Sequence, residues 1–258
     1  MENYTRDVQL FMIFDILGDT VRTGPQLWKI KRKRLEDVKN HILDLLLIIR
    51  ILKRRLPNNL DYDKIVDYII CHDLPEAITG DITKFEGISE EERSRVTQIA
   101  TKYLAEKFGD IIDIGTILNN YENRIDIESK IVNMVDKIHS AFAFIKYQSE
   151  EDIDMNDPGI IPCLRYLPFV DDRIKSGLDL ADIFYQFHII SVNISDEELV
   201  KFNISREEAD NIVAVIKGWA EELYSQKIKK TLLDCSKDFP QDAMIYNKRY
   251  RIWLYAWV

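Results

Sequence analysis

Apolar residues recur at intervals of three and four positions along most of the chain, the spacing that places them on one face of an α-helix. Leu10, Phe14 and Leu17 follow this spacing and predict a first helix over residues 7–17, which Gly18 would end. A second, long helix is predicted over residues 36–56. Its run 45–49 is apolar on every face, so we expect this helix to lie in the middle of a helical core.

Polar residues mark where further helices begin and end. A helix over residues 62–72 is predicted to end before Pro75, which suits the first position of a short new helix. Ser89, followed by three glutamates, is typical of an N-cap. A broad apolar face predicts another helix over residues 127–147, with Asp136 as its one acid on that face. The segment with Gly24 and Pro25 is predicted to be a loop.

An acidic, turn-rich stretch at residues 150–159 indicates a boundary. Helices are predicted again over 178–190 and 205–225, the second opened by a capping box of Ser205 and Glu208. We therefore predict an all-α protein with a helical core at 1–149 and a C-terminal helical extension at 150–258 packed on it. The apolar tail 252–258 is expected to dock on the core or on another subunit.

Composition excludes several classes of protein. With 46% hydrophobic and 31% charged residues, the chain can bury a substantial core, and its 9 glycines and 7 prolines are few enough for long helices. A net charge of −9 disfavours binding of extended nucleic acid. Three separated cysteines support neither a disulfide framework nor a zinc ribbon, and no segment resembles a signal peptide or a membrane span. We expect a cytoplasmic protein.

Candidate metal ligands occur on three of the predicted helices. His72 and Asp73 are adjacent at a helix end, where one divalent ion can reach both side chains. His41 lies on the helix predicted to be most buried, and Asp136 lies among apolar residues. A buried imidazole or carboxylate needs a partner. Two nitrogen and two oxygen donors suit Mn, Co, Fe, Zn or Ni better than calcium.

The order of these residues resembles that of the HD-domain metal-dependent phosphohydrolases. The segment HDLPEAITGD, from His72 to Asp81, is similar to the HD-x-x-E-x-x-x-G-D segment of the subgroup that contains bacterial 5′-deoxynucleotidases and their eukaryotic relatives. The approach to His41 and the segment around Asp136 are also similar to that subgroup. The resemblance covers residues 7–148 and leaves out the last hundred or so.

The resemblance implies an HD-type helical bundle and one divalent ion, which would be Mn, Co, Fe, Ni, Zn or Mg. The ligands it implies are His41, His72, Asp73 and Asp136. Glu76 matches the acid that moves protons for the attacking water or the leaving group, and Asp81 matches a second acid of the pocket. Four protein ligands leave room for water and phosphate only on a five- or six-coordinate ion, which differs from a closed structural zinc site.

Substrate binding is implied by less complete matches. Arg22 and Trp28 resemble the R-x-G-W element that contacts the nucleotide, but the spacing between them is longer here. Lys31 and Lys33 belong to a basic cluster at residues 29–34, a candidate for phosphate contact whose alternative is a solvated surface. We interpret His139 as a packed core histidine, with a place beside the metal ligands as the alternative. His188 and the C-terminal aromatic residues are expected to be core or interface.

The predicted function is release of phosphate from a small nucleotide, most simply from a deoxynucleoside 5′-monophosphate. A nucleoside triphosphate hydrolase is the nearest alternative, and a non-catalytic nucleotide-binding regulator is a third. Related domains often form homodimers, and the apolar tail would suit such an interface. No membrane partner is expected.

Overall fold

The computed structural model describes residues 4–27, 30, 35–83, 86–150 and 180–228. Within these ranges the regular elements are helices. Val21 and Asp37 also form one isolated antiparallel β-bridge. The all-α prediction is confirmed. The helices are α1 Thr5–Ile16, α2 Thr23–Leu27, α3 Val38–Leu52, α4 Tyr62–Cys71, α5 Glu76–Thr79, α6 Glu90–Phe108, α7 Ile114–Glu122, α8 Ile127–Glu150, α9 Leu180–Ile189, α10 Asp196–Phe202 and α11 Arg206–Ile228.

Side-chain caps fix the beginnings of the helices that carry the site. Asp37 accepts a hydrogen bond from the backbone N–H of Asn40 at the start of α3, and Asp61 does the same for Lys64 at the start of α4. Ser89 caps α6 as predicted, at 3.1 Å from the N–H of Glu92. Each cap satisfies a donor that the helix cannot pair internally.

Helix α8 is the centre of the molecule. It packs against three helices of the N-terminal part of the chain, α3, α4 and α7, and against two helices of the C-terminal part, α9 and α11. Its core-facing side chains are at most 1% exposed, and they are Ile131, Val132, Met134, Val135 and Ile138. Because α8 contacts so many neighbours, a polar group on its buried face is held inside the protein from several sides.

Helix α3 is shorter and less buried than predicted. It spans Val38–Leu52, because Asp37 caps it and residues 53–55 form a turn. The prediction that this helix lies in the middle of the core was wrong for one stripe, because Leu43, Leu47 and Ile51 are each 52% exposed. In the described part of the chain, α3 packs against α8 and α4, and the stripe with Leu47 faces away from these contacts.

Three short helices escaped prediction. The segment with Gly24 and Pro25 forms α2 and not the predicted loop. Pro25 is tolerated there because the N–H groups of a helix's first turn have no internal partner. Helices α7 and α10, of nine and seven residues, carry too few apolar positions to give a clear period, although Asp113 and Ser195 cap them.

The C-terminal helices lie against the core at named contacts. Phe184 of α9 stacks on Phe144 of α8, with ring centroids 3.8 Å apart. Glu198 of α10 forms an ion pair of 2.7 Å with Lys130 of α8. The capping box of Ser205 and Glu208 is present at the start of α11. The acidic stretch from 151 onward and the tail 252–258 lie outside the described residues, so the domain boundary stays a prediction.

None of the helices in the described ranges combines the length and the apolar character needed to span a membrane.

Candidate metal centre and active site

Three helices bring the four predicted ligands to one place. His41 lies in α3, His72 and Asp73 follow the last turn of α4, and Asp136 lies on the buried face of α8. Nε2 of His41 is 3.2 Å from Oδ1 of Asp136 and 3.6 Å from Oδ2 of Asp73. Nε2 of His72 is 3.2 Å from the same Asp73 oxygen. Donor atoms of His41, His72 and Asp73 all lie within 4.8 Å of one another.

A hydrogen bond to the backbone fixes the orientation of the His72 ring. Its Nδ1 lies 2.9 Å from the carbonyl oxygen of Ile69. A carbonyl oxygen only accepts hydrogen bonds, so Nδ1 carries the proton and donates. In the neutral ring, Nε2 then presents its lone pair toward Asp73, which is the tautomer that a metal ligand requires.

Three buried atoms of this cluster have no hydrogen-bond partner in the described part of the chain: Nε2 of His41, Nε2 of His72 and Oε2 of Glu76. The two imidazole nitrogens approach carboxylates without forming a hydrogen bond. A buried polar atom left unpaired costs about 1–3 kcal/mol, so three together need an explanation. A divalent cation would satisfy both imidazoles and draw the carboxylates inward.

The electrostatics favour the protonation states of metal ligands at three of the four residues. At His72, burial would lower the pKa, but the negative charge of Asp73 outweighs it and raises the pKa, so a metal ion would have to displace a proton there. Burial, and after it the positive charge of Arg22, lowers the pKa of His41 to about 3, so this ring is neutral. Burial would raise the pKa of Asp73, but His72 and Arg22 outweigh it and lower the pKa. Burial opposes ionisation of Asp136 in the same way, and Lys137 and His41 lower its pKa well below the usual range.

Arg22 lies beside the cluster and Asp81 holds its segment in place. Nη1 of Arg22 is 3.3 Å from Oδ2 of Asp73. Burial works against the charge of Arg22, but the surrounding carboxylates of Asp73, Asp81 and Glu76 raise its pKa. The next residue, Thr23, donates its backbone N–H to Oδ2 of Asp81 at 2.6 Å and its hydroxyl to the carbonyl of Asp81.

Glu76 begins α5 and faces a cavity of about 690 Å³, which we name the central cavity. Burial, followed by the nearby charges of Asp73 and Asp81, raises the pKa of Glu76 well above the usual value. The predicted residues that line this cavity are Arg22, Asp73, Glu76, Asp81 and Asp136. Its volume lies within the range of pockets that hold small molecules.

Other predicted substrate contacts lie outside the described residues, namely Trp28, Lys31 and Lys33. Two cations that were not predicted line the central cavity instead, Arg93 from α6 and Lys137 from α8. Lys137 could have been found from its position beside Asp136. Arg93 carried no signal, because an arginine in a polar helix is ordinarily a surface residue.

Part of the wall of the central cavity comes from α9. Phe184 and Phe187 line it, together with His188. Phe184 is also core, since it is 5% exposed and stacks on Phe144, as was expected of the C-terminal aromatic residues. Phe187 and His188 were predicted to be core or interface, and their position at the cavity was not predicted. No sequence pattern showed that α9 packs on α8.

His139 is fully buried and contacts a predicted ligand. Its Nδ1 lies 2.8 Å from Nδ1 of His41, and its Nε2 lies 3.2 Å from Oδ2 of Asp44. The hydrogen bond from His139 is the main reason that the pKa of Asp44 is lowered. Of the two interpretations of His139 from sequence, the structure favours a place beside the ligands.

More than half of this chain matches a known protein family. The model of the HD domain family matches residues 14–157. The 5′-deoxynucleotidase HDDC2 of Xenopus laevis is 22% identical over 145 residues, which are 55% of this chain and 71% of that protein. The 5′-deoxynucleotidase YBR242W of Saccharomyces cerevisiae is 29% identical over 124 residues, which are 46% of this chain and 51% of that protein.

A solved structure extends the likeness of the fold beyond the matched region. It is a predicted metal-dependent phosphohydrolase from Magnetospirillum magnetotacticum MS-1, with a TM-score of 0.51 and 12% sequence identity. The alignment covers 88% of this chain and 96% of that one. The family match ends before α9, so the aromatic wall of the central cavity lies outside it.

Proposed function

Because this chain belongs to the HD domain family, we propose that it is a metal-dependent phosphohydrolase that releases phosphate from small nucleotides. The observation that carries the proposal is a group of side chains that meet at the central cavity. Two buried imidazole nitrogens without partners face two ionised carboxylates, and Arg22 and Glu76 line the same space. This set of groups can bind a cation, bind an anion and move a proton.

We assign His41, His72, Asp73 and Asp136 to one divalent ion. The fit rests on the unpaired nitrogens, on the lowered pKa values of the two aspartates and on the mixture of nitrogen and oxygen donors. That mixture suits Mn, Co, Fe, Ni, Zn or Mg more than calcium. When bound, such an ion supplies a concentrated positive charge that polarises a phosphate group and an attacking water.

Glu76 is the residue that we assign to proton transfer. Its Oε2 is buried, has no hydrogen-bond partner in the described chain and borders the central cavity. Burial and the neighbouring acids raise the pKa of this carboxyl, so it holds a proton more readily than an exposed glutamate does. We assign Asp81 as the second acid of the pocket, where it also holds the segment of Arg22 through Thr23.

Phosphate binding falls to the cations of the central cavity. The guanidinium of Arg22 already lies against Asp73, so an anion placed beside the cluster meets it directly. Arginine suits this task because its planar fork matches the geometry of phosphate oxygens. The sequence-predicted contacts Trp28, Lys31 and Lys33 remain part of the proposal for the nucleotide.

Deoxynucleoside 5′-monophosphates are the substrates that we favour, because both curated relatives compared above are named 5′-deoxynucleotidases. A nucleoside triphosphate hydrolase is the second candidate. It is favoured by Arg93 and Lys137, which add two cations to the cavity wall beyond Arg22. A longer anion would need such additional positive charge.

The test is the pattern of products from a panel of deoxy- and ribonucleoside mono- and triphosphates, incubated with metal-loaded protein. We expect orthophosphate and a nucleoside from the monophosphates. Glu76→Gln, which keeps the shape of the side chain, should bind metal as the wild type does and lose about 100-fold or more in kcat. Release of triphosphate alone would move the assignment to the second candidate, and no turnover with bound metal would favour a nucleotide-binding regulator.

A further inference from the structure

The proposed ligand His41 is in contact with a second histidine on the side that faces away from the metal cluster. His139 of α8 has its ring centroid 4.8 Å from that of His41, and the two Nδ1 atoms are 2.8 Å apart. Both side chains are completely buried. Packing of the two rings does not require a hydrogen bond between their Nδ1 atoms, and neither does metal binding through Nε2 of His41.

Two carboxylates lie behind His139. Its Nε2 is 3.2 Å from Oδ2 of Asp44 and 3.7 Å from Oε1 of Glu36. Both acids line a second cavity of about 270 Å³. The side chain of Asp44 is 42% exposed, so its charge is hydrated although its partner is buried. A continuous row of groups therefore leads from His41 through His139 to a solvated carboxylate.

With both rings neutral, hydrogen-bond chemistry decides where the protons lie in this row. Two neutral imidazoles joined through their Nδ1 atoms share one proton, so one ring donates and the other accepts. An ionised carboxylate only accepts, so the hydrogen bond to Asp44 places a proton on Nε2 of His139. Nδ1 of His139 is then the acceptor, and Nδ1 of His41 carries the shared proton. This leaves the lone pair of His41 on Nε2, which faces the metal cluster.

We infer that His139, held by its hydrogen bond to Asp44, is a positioning residue that fixes the tautomer and the ring plane of His41. The inference rests on the proposed assignment of His41 as a ligand. Hydrogen-bond partners behind a ligating histidine orient the ring and make it a better donor. In this chain the partner is a second imidazole, and the carboxylate stands one group further away.

Donor atoms of Glu36, His41 and His139 also lie close enough together to hold a metal ion. The proton positions given above argue against a second ion there. Such an ion would need the lone pair of His139 on Nε2. The shared proton would then belong to Nδ1 of His139, and His41 would carry its proton on Nε2, facing the cluster. The two sites therefore exclude each other, and the carboxylate of Asp44 favours the first.

The tautomers can be measured without metal or substrate. Long-range ¹H–¹⁵N NMR correlations distinguish the two nitrogens of each imidazole, and the chain has only four histidines. In metal-free wild type we expect His41 with its proton on Nδ1 and His139 with its proton on Nε2. In His139→Phe the spectrum of His41 should shift toward a mixture of tautomers. Observation of His41 with its proton on Nε2 in the wild type would overturn the inference, whatever the activity of the protein.

Metal affinity gives the second readout, through competition of Mn²⁺ or Co²⁺ with a chromogenic chelator. We expect His139→Phe to bind about 10–100-fold more weakly than wild type, and Asp44→Asn to lose less in the same direction. Phe142→Leu is the control, because Phe142 packs against the edge of the His139 ring without joining the row. Affinity of His139→Phe within twofold of the Phe142→Leu control would contradict the inference. Wild type that binds no metal would overturn the proposed function, while the NMR result would still test the tautomers.

Discussion

Arg22 and Asp73 form an ion pair of 3.3 Å at the junction of the metal cluster and the central cavity. The Asp73 oxygen that accepts Arg22 is the same Oδ2 that lies near His41 and His72. One carboxylate oxygen therefore connects the proposed cation site to the nearest anion-binding side chain. An anionic group that enters the cavity meets Arg22 where it also meets the cluster.

This contact predicts the effect of replacing Arg22. Arg22→Lys keeps the charge but loses the planar fork, so a phosphate group would lose one charge-assisted hydrogen bond, which contributes about 1.5–3 kcal/mol. We expect KM for monophosphates to rise about 10-fold or more. The exposed Lys39, whose partner Asp15 lies at the surface, supplies the control Lys39→Gln. Steady-state kinetics with equal KM for wild type and Arg22→Lys would remove Arg22 from the substrate site.

The aromatic wall of α9 predicts a separation between phosphate and base recognition. Phe187 lines the central cavity together with Arg22 and Asp73, so its ring is available to the base of a nucleotide whose phosphate lies beside the cluster. Stacking of a base on an aromatic ring contributes about 1–3 kcal/mol, so Phe187→Ala should raise KM for nucleotides about 5-fold or more. KM for deoxyribose 5-phosphate, which has the sugar and the phosphate but no aromatic ring, should stay as it was.

Phe11, an exposed aromatic residue of α1, provides the matched control Phe11→Ala. A Phe187→Ala protein whose KM values rise equally for both substrates would indicate a general disturbance of the cavity. Unchanged values for both would show that the base lies elsewhere.

The ion pair of Lys130 and Glu198 predicts a pH-dependent contribution to folding. Burial would raise the pKa of Glu198, but the hydrogen bond from Lys130 outweighs it and lowers the pKa. A lowered pKa means that the pair stabilises the fold above the ordinary glutamate pKa of about 4.3, and that this stability is lost as the pH falls through the lowered value.

Glu198→Gln keeps the capping box of α10 but removes the charge. We expect the free energy of unfolding in urea to fall by about 1 kcal/mol at pH 7, because the pair is partly screened by solvent. The difference from wild type should shrink toward zero below pH 4. The neighbouring exposed Glu197→Gln is the control for the charge in that turn. A difference that stays constant from pH 7 to pH 3 would contradict an electrostatic origin.

Much of the fold could be predicted because its signals are local. The stripe of α4, the cap at Ser89 and the capping box at Ser205 depend on residues within one or two turns of each other. The exposure of Leu47 could not be predicted, because it depends on where α3 lies against α8. Short helices such as α10 depend on tertiary packing more than on their own period.

Some residues of the candidate site could be predicted from the sequence and others could not. The pair His72 and Asp73 is visible in sequence, and the burial predicted for His41 and Asp136 made these two residues further candidates. The resemblance then implied that all four bind one ion. The structure brings all four together, and their binding of a metal remains the proposal. Phe187 had no signal at all, because its helix lies outside the region that resembles the family.

The central claim is that phosphate release depends on a divalent ion held by this cluster. The most direct measurement follows bound metal and phosphate release together, as metal-stripped protein is titrated with Mn²⁺ or Co²⁺ in the presence of a deoxynucleoside 5′-monophosphate. In the wild type, turnover should rise in proportion to bound metal. Asp73→Ala should lose both, because it removes a proposed ligand. Full turnover of metal-stripped wild type, or Asp73→Ala with wild-type metal content and turnover, would contradict the account.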